Sequence, residues 1–245
     1  METQNLTESR LRADLAALYR LLDQFRMTDL IYTHISVRLP GGGHRFLINE
    51  YDRLFGQMRP EDLIEVDAEG RASDASEGRR INPAGFTIHS AVHMARPETV
   101  CVVHTHTAAG IAVAAQRAGL LPISQHALKF FGHLAYHDYE GIALDLDERE
   151  RLVRDLGTHD AMILRNHGLL ACGRTVAEAF HNIYYLERAC QAQVAALAGG
   201  QELIFPSEAT CRKTAEQFRA DPATRLRGAE RAWQSALRLL PALAH

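Results

Sequence analysis

Residues 96–116 read RPETVCVVHTHTAAGIAVAAQ, an apolar strand pattern followed by two histidines and a helix of small residues. Side chains at positions i and i+2 of a strand point to the same face, so the rings of His104 and His106 can converge on one point. Such a pair can hold a metal ion, although two unrelated polar residues at a strand end would look the same. The pair alone does not decide between these two interpretations.

A third histidine follows another apolar strand pattern, in the segment MILRNHGLLACG. His167 lies in the turn that we predict there, where Gly168 permits a tight backbone. Three neutral imidazoles from strand ends, with a fourth position left open, are the usual plan of a catalytic zinc site. Spacing alone leaves a metal site and a merely polar strand end equally open. An ion with only a structural role is disfavoured, because such sites usually have four protein ligands.

The periodicity predicts an α/β fold with helices on the faces of one sheet. An amphipathic helix is expected over 11–25, a β-hairpin over 33–49 around the turn PGGGH, and a long helix over 175–197. The early hairpin favours a mixed or largely antiparallel sheet. With no repeat or low-complexity linker, residues 1–245 are predicted to form a single domain, with C-terminal helices at about 207–240.

Composition narrows the classes of partner. A formal net charge of −3 and the lack of a Lys/Arg-rich stripe predict no nucleic-acid partner. The polar start METQNLTESR predicts no secretory signal, and no apolar stretch approaches the length of a membrane span. The four cysteines form no CxxC motif, so we expect free thiols in a reducing cytoplasm.

Two further histidines, His89 and His93, lie four residues apart in the predicted helix FTIHSAVHMA. They share one helical face and could also bind a metal ion. Without a glutamate between them they lack the metalloprotease pattern, so a polar helix face is the favoured interpretation.

The quoted segments, together with TVAEAFHNIYYLERACQAQ, closely resemble the class II aldolase/adducin family over about residues 11–197. The resemblance implies a three-layer α/β/α fold around a mostly antiparallel central sheet, and a homotetramer with active sites at subunit interfaces. It also implies a divalent ion held by three histidines, which match His104, His106 and His167 here. Zinc is the expected ion, with Mn²⁺, Fe²⁺ or Co²⁺ as alternatives. In such enzymes the ion is a Lewis acid for breaking a carbon–carbon bond.

Two features of the sugar-phosphate members of that family are missing, the catalytic glutamate and the pair of phosphate-binding motifs. Their Ser-Ser-Glu, whose glutamate is the general acid/base, corresponds to Pro83, Ala84 and Gly85, and glycine cannot transfer a proton. Their phosphate-binding Gly-Asn-x-Ser turn corresponds to THIS, with His34 in place of asparagine.

The second phosphate-binding motif of those members, a Thr-Gly, is absent as well, and the matching stretch here is NEYD. Its Glu50 and Asp52 are expected to repel a phosphate dianion. The sequence therefore argues against sugar-phosphate chemistry.

These departures favour a metal-dependent lyase that cleaves a small, non-phosphorylated carbonyl compound or hydroxy acid, by decarboxylation or retro-aldol cleavage. We expect His34 to contact a substrate carboxylate. His126 is the candidate proton donor, because it falls near the family's interface tyrosine, although an ordinary loop histidine would look the same. Tyr139 and Glu140 are equally open to assignment as ligands, acids or turn residues.

The alternative is a non-catalytic binding or scaffolding module, as in the adducin branch. Loss of the glutamate at position 85 favours the module, whereas the intact histidine triad favours the enzyme. Three buried imidazoles without an ion would be costly to desolvate, which supports the enzyme.

Overall fold

The computed structural model describes residues 7–42, 44–73, 76, 78–141, 148–219 and 221–241 of the 245-residue chain. Its strands are β1 (His34–Arg38), β2 (Phe46–Asn49), β3 (Leu63–Val66), β4 (Cys101–Thr105), β5 (Ala135–His137), β6 (Ala161–Leu164) and β7 (Gly168–Gly173). Its α-helices are α1 (Glu8–Gln24), α2 (Pro83–Ala95), α3 (Ala108–Ala114), α4 (Gln125–Leu128), α5 (Glu148–Leu156), α6 (Val176–Ala198), α7 (Glu208–Arg219) and α8 (Pro222–Leu237).

The strands of the described residues form one sheet in the order β3-β2-β1-β4-β7-β6-β5. Neighbouring strands are antiparallel, except that β5 and β6 run parallel. Along β4, Cys101 and Val103 pack into a core with α1 and α6 on one face, whereas Val102 packs with α2 and α5 on the other. Helices thus cover both faces. The predicted three-layer α/β/α fold with a mostly antiparallel sheet is confirmed.

The opening helix follows directly from its local sequence. The side chain of Thr7 caps the helix by accepting a hydrogen bond from the backbone N–H of Arg10. Leu11, Leu15 and Leu18 recur at helical spacing and are 1% exposed or less. This apolar face docks α1 on the sheet, beside the strands that carry the candidate site.

Two short elements, α4 and β5, are not predicted by the sequence pattern. They contain four and three residues, which is too short for a hydrophobic period to be detected. Ser124 caps α4 by accepting from the N–H of Ala127, and parallel pairing with β6 holds β5. The helix expected after His106 is α3, which ends at Ala114.

The predicted C-terminal helices are α7 and α8. Trp233 of α8 is 1% exposed, and its ring centroid lies 5.6 Å from that of Phe180 on α6. Helix α8 therefore docks on the body of the domain. No helix in the described ranges combines the length and the apolar character that crossing a membrane requires.

Candidate metal centre

The end of β4 places two histidines on the face of the sheet that α2 covers. His104 lies two residues after Val102, whose side chain packs against α2, so both side chains point to that face. His106 comes two residues later, just beyond the last residue of the strand. His104 is fully buried and His106 is half-buried.

His167 lies in the turn between β6 and β7, where Leu164 pairs with Gly168. Asn166 has a φ of 55°, in the left-handed region that asparagine tolerates better than most residues. A Cβ on Gly168 would lie 2.4 Å from the carbonyl oxygen of Thr105. Glycine at this position therefore lets the turn approach β4 closely enough for His167 to reach the other two histidines.

The three histidines meet at their Nε2 atoms. The Nε2 of His104 lies 2.8 Å from that of His106 and 3.2 Å from that of His167, and the remaining pair is 2.9 Å apart. Within the described part of the chain, these three form a group whose possible ligand atoms all lie within 4.8 Å of one another. The structure thus brings together all three residues that we predict as metal ligands.

Hydrogen bonds behind two of the rings fix their orientation. The Nδ1–H of His104 donates to the carbonyl oxygen of Leu169 over 2.9 Å, and that of His106 donates to Asp29 Oδ2 over 3.0 Å. These oxygens are acceptors, so Nδ1 carries the proton in both rings and Nε2 carries the lone pair. This is the orientation found in metal-binding histidines.

Burial favours the neutral form of two of the rings. The pKa of His104 lies well below its ordinary value because the ring is buried, and His167 and His106 lower it further. Burial, followed by the neighbouring His106 and His137, lowers the pKa of His167 to about 4. Both rings are therefore neutral at pH 7, and the neutral imidazole is the form that binds metal.

A divalent ion fits this donor set. In tetrahedral zinc sites, ligand nitrogens about 2.05 Å from the ion lie about 3.3 Å from one another. The observed separations of 2.8 to 3.2 Å are slightly shorter than this. The lone pairs of His104 and His106 face each other across 2.8 Å, an arrangement that is unfavourable for two bare rings and is relieved by a cation. Nitrogen ligands suit zinc and its transition-metal neighbours.

The three rings line a cavity of about 440 Å³. Polar and aromatic side chains dominate the remainder of its wall, which consists of Asp29, Tyr32, His34, Tyr51, Asn82, Ile88, Tyr139 and Gly141. No lysine or arginine is among the described residues that line it, and the residues outside the described ranges include neither type. The wall therefore carries no cationic side chain of this chain.

His34 lies where the predicted substrate-binding role requires it. It pairs with His104 across β1 and β4, and the two ring centroids are 5.1 Å apart. The ring lines the cavity although the residue is only 2% exposed. Contact with a substrate stays a prediction.

His126 is not brought to the cavity of its own chain. It lies exposed on α4, where its ring centroid is 5.1 Å from that of Tyr185. Neither residue is part of the described cavity wall. The predicted role as proton donor therefore requires the cavity of another subunit, and it stays a prediction.

The structure corrects one expectation about charged residues. The carboxylates of Glu50 and Asp52 do not stand unpaired where they would repel an anion: Glu50 lies 3.1 Å from Arg79, and Asp52 lies 3.0 Å from Arg80. Neither acid lines the cavity.

The predicted polar face of α2 packs against β1. His89 and His93 do not face solvent, because they are 2% and 0% exposed and bond to polar side chains of β1. The polar face predicted for α2 is therefore present, and it is buried.

Sequence reasoning missed Asp29, Tyr32 and Tyr51, and it left Tyr139 undecided. Asp29 reaches His106 from the loop before β1, 77 positions earlier in the chain, so no local motif connects the two. Tyr139 lines the cavity, with its ring centroid 6.3 Å from that of His167. Its neighbour Glu140 is instead paired with Arg151 at 2.8 Å.

Comparison with known proteins gives consistent matches over most of the chain. The family model described as Class II Aldolase and Adducin N-terminal domain matches residues 13–194. A protein of Caulobacter vibrioides, whose name places it provisionally in aldolase class 2, is 52% identical over 198 residues, covering 81% of this chain and 77% of that protein. Alpha-adducin of Rattus norvegicus is 41% identical over 231 residues, covering 93% of this chain and 31% of that protein.

Solved structures share the fold. An aldolase II superfamily protein from Pseudomonas syringae superposes with a TM-score of 0.89 at 49% identity, covering 96% of this chain and 93% of that one. An L-fuculose 1-phosphate aldolase from Glaciozyma antarctica superposes with a TM-score of 0.82 at 29% identity, covering 95% of this chain and 90% of that one.

Proposed function

This chain belongs to the class II aldolase and adducin family, and we propose that it is a divalent-metal-dependent carbon–carbon lyase. Its proposed substrate is a small, non-phosphorylated carbonyl compound or hydroxy acid. The observation that carries the proposal is the convergence of three imidazole Nε2 atoms, 2.8 to 3.2 Å apart, on the wall of a cavity of about 440 Å³.

His104, His106 and His167 would hold the ion, for which we propose zinc, with Mn²⁺, Fe²⁺ or Co²⁺ as alternatives. When bound, the ion supplies Lewis-acid polarisation of a substrate oxygen. Asp29 and the carbonyl of Leu169 keep two of the rings aligned by accepting hydrogen bonds from their Nδ1–H groups. The chain thereby offers a preorganised donor set with room beside it for a ligand.

The charge of the cavity wall supports a substrate without phosphate. A phosphate dianion is usually held by arginine, lysine or several backbone N–H groups, and no cationic side chain of this chain lines the cavity. The wall also includes Asp29, which adds negative charge. His34 is neutral and can form a hydrogen bond to a carboxylate or carbonyl oxygen, so a small acid or carbonyl compound suits the cavity.

Decarboxylation is the reaction that the residues favour. Gly85 leaves no titratable group at the position where the family resemblance places a glutamate base. Loss of carbon dioxide from a 3-keto acid leaves the bonding electron pair on the carbon beside the carbonyl and so generates an enolate without prior removal of a proton, so a site without that base can still begin the reaction. Retro-aldol cleavage would need another base to accept the hydroxyl proton.

The enolate carbon must then receive a proton, and we assign this step to His126. Because His126 lies exposed on α4 and outside its own cavity, it would act on the cavity of a neighbouring subunit. This assignment requires a homo-oligomer, for which we propose the tetramer that the resemblance implies. The buried free thiols of all four cysteines support a reducing, cytoplasmic setting. We propose no nucleic-acid or membrane partner.

Metal analysis of the purified protein tests the proposal. We expect about one divalent ion per chain, lost in His104→Ala and retained in His44→Asn, which alters an exposed histidine in the β1–β2 turn. His126→Ala should keep the ion and lose turnover. A panel of 2-keto acids, 3-keto acids, hydroxy acids and aldehydes, followed by release of carbon dioxide or aldehyde, tests the reaction. A metal-free wild type, or turnover restricted to sugar phosphates, would contradict the proposal.

A second candidate is a non-catalytic binding or scaffolding module of the adducin type. The identity of 41% to alpha-adducin over 93% of this chain favours it, together with the glycine at position 85. The chain spans 31% of that relative, so the activity of the whole relative is not carried over. A metal-free protein that turns over no member of the panel would support the module.

A further inference from the structure

A row of buried polar side chains runs from the cavity into the space between β1 and α2. His34 Nδ1 lies 2.8 Å from His89 Nε2, and His89 Nδ1 lies 2.6 Å from Ser36 Oγ. The same hydroxyl lies 2.8 Å from His93 Nε2. Each of the four residues is 2% exposed or less. We call His34, His89, Ser36 and His93 the histidine–serine network.

Gly85 of α2 leaves the space in which the ring of His34 lies. A Cβ on Gly85 would lie 2.3 Å from Cδ2, 2.6 Å from Cγ and 2.7 Å from Nε2 of that ring. Carbon atoms do not approach so closely, so a side chain at position 85 and the ring of His34 exclude each other. The bond from His34 Nδ1 to His89 restrains the ring from turning aside.

The ring has one nitrogen left for the cavity. His34 lines the cavity next to His104, and its Nδ1 is already bonded to His89 on the inner side. Nε2 is therefore the nitrogen that His34 offers to a ligand. It lies beside the metal centre, in space that a side chain at position 85 would otherwise fill.

Building on the proposed function, we propose that His34 replaces the side chain missing at position 85 as the group that contacts the substrate beside the metal centre. The other three members of the histidine–serine network are positioning residues, which hold the ring in the space above Gly85. The ligand group facing the ring is an oxygen of a carboxylate, carbonyl or hydroxyl, which accepts from Nε2–H when Nδ1 of the neutral ring accepts from His89 Nε2–H.

The polarity of the network supports this role. Three imidazoles and a hydroxyl are costly to bury, and apolar side chains would fill the same space at lower cost. Burial lowers the pKa of His34 and of His89 well below the ordinary value, and burial together with the positive charge of Arg38 lowers that of His93 to about 3. The network is therefore a row of neutral groups whose hydrogen bonds fix the direction of each ring.

A stability cycle on the metal-free protein tests the positioning. Gly85→Ala should lower the melting temperature by more than about 5 °C, although alanine is the better helix former. In a His34→Ala background the same substitution should be neutral or stabilising. In a Ser36→Ala background the ring of His34 can shift, so Gly85→Ala should lower the melting temperature clearly less than it does in the wild type.

Ser90→Ala is the matched control for this cycle. Ser90 of α2 is a buried serine like Ser36. Its hydroxyl donates to the carbonyl oxygen of Thr87 within the same helix, over 3.2 Å. Gly85→Ala should lower the melting temperature by the same amount in the Ser90→Ala background as in the wild type. If Gly85→Ala does not fold, its rescue by His34→Ala becomes the deciding result, and a lack of rescue would overturn the proposal.

Binding of glycolate to the Co²⁺-loaded protein, followed by the visible absorption of the ion, tests the substrate contact. His34→Ala and Ser36→Ala should each weaken glycolate binding by about 10-fold, with Ser90→Ala within about 2-fold of the wild type. The spectrum without glycolate should be unchanged, because none of the four network residues is among the three predicted ligands.

The two experiments separate the possible failures. Wild-type affinity for glycolate in folded Ser36→Ala, or an equal cost of Gly85→Ala in the wild type and in Ser36→Ala, would overturn the proposed positioning. If the wild type binds no Co²⁺, the proposed function fails instead, and the stability cycle still decides whether the network holds the ring.

Discussion

Asp29 and His106 are joined by a hydrogen bond of 3.0 Å between Oδ2 and Nδ1, across 77 positions of the chain. The bond sets the proton of His106 on Nδ1 and leaves Nε2 for an ion. The carboxylate would thus influence the candidate metal centre through the imidazole. Since the Asp29 side chain is 43% exposed, solvent screens part of its charge.

Asp29→Ala should weaken zinc binding by about 10-fold, because the ring of His106 loses the acceptor that aligns it. Competition with a chromophoric chelator measures the affinity. Asp52→Ala serves as the control, since that acid pairs with Arg80 and does not line the cavity. Equal zinc affinity of Asp29→Ala and the wild type would show that the hydrogen bond does not support the site.

The metal-free protein should lose stability as the pH falls from about 6.5 towards 3. In the folded state, burial and Arg38 lower the pKa of His93 from 6.5 to about 3. Between these values the unfolded chain binds the proton that the folded protein excludes, so the free energy of unfolding decreases as the pH falls. His93 alone should contribute a loss of about 2 kcal/mol at pH 5.

Urea denaturation in the presence of EDTA at pH 7.5 and pH 5 checks this expectation. His93→Gln cannot take up the proton, so its two free energies of unfolding should differ less than those of the wild type. An equal difference in the variant would assign the pH dependence to other groups.

Gly168→Ala should destabilise the protein by about 2 kcal/mol or more and displace His167, because the new Cβ would lie 2.4 Å from the carbonyl oxygen of Thr105. Both chemical denaturation and zinc content should report the damage. Gly228→Ala is the control: its Cβ would meet nothing within 4 Å on an exposed turn of α8. That variant should be neutral or up to about 1 kcal/mol more stable.

Trp233→Ala should lower the free energy of unfolding by about 3 to 5 kcal/mol, because it removes a ring that is 1% exposed between α8 and α6. Zinc content should stay at the wild-type level, since neither helix supplies a ligand of the predicted triad. Phe205→Ala removes a ring that is 50% exposed and should change stability by about 0.5 kcal/mol or less. A loss of zinc in folded Trp233→Ala would show that α8 supports the site.

Local patterns predicted the parts of this fold that local physics determines. The leucine spacing of α1 and the apolar run of β4 each reflect one element burying one face, so a single sequence reveals them. The predicted ligands His104, His106 and His167 come from the HTHT and NHG segments, because each lies at or just beyond the end of a strand that the pattern also predicts. The short β5 depends on pairing with β6 and escapes such patterns.

The remainder of the site could not be predicted because it depends on contacts between distant segments. The spacing of His89 and His93 shows that they share a helical face, but not that this face meets Ser36 rather than water. In the sequence, Gly85 indicates only that a base is missing. The structure shows that the ring of His34 lies in the space that a side chain at position 85 would fill. The sequence offered one signal for this contact. His34 and Ser36 share one face of a strand, and His89 and His93 share one face of a helix, so the two polar faces could pair.

The strand register has a consequence for folding. His34 lies opposite His104 only in the register that also pairs Val37 with Cys101, and a slip of one residue along β1 would turn His34 to the opposite face of the sheet. The turn carrying His167 reaches the other two predicted ligands only after β7 has paired with β4. Ion capture is therefore expected late on the folding pathway, after the long-range pairings have formed. A bound ion would then selectively stabilise correctly registered molecules, so the cation would discriminate against misfolded sheets.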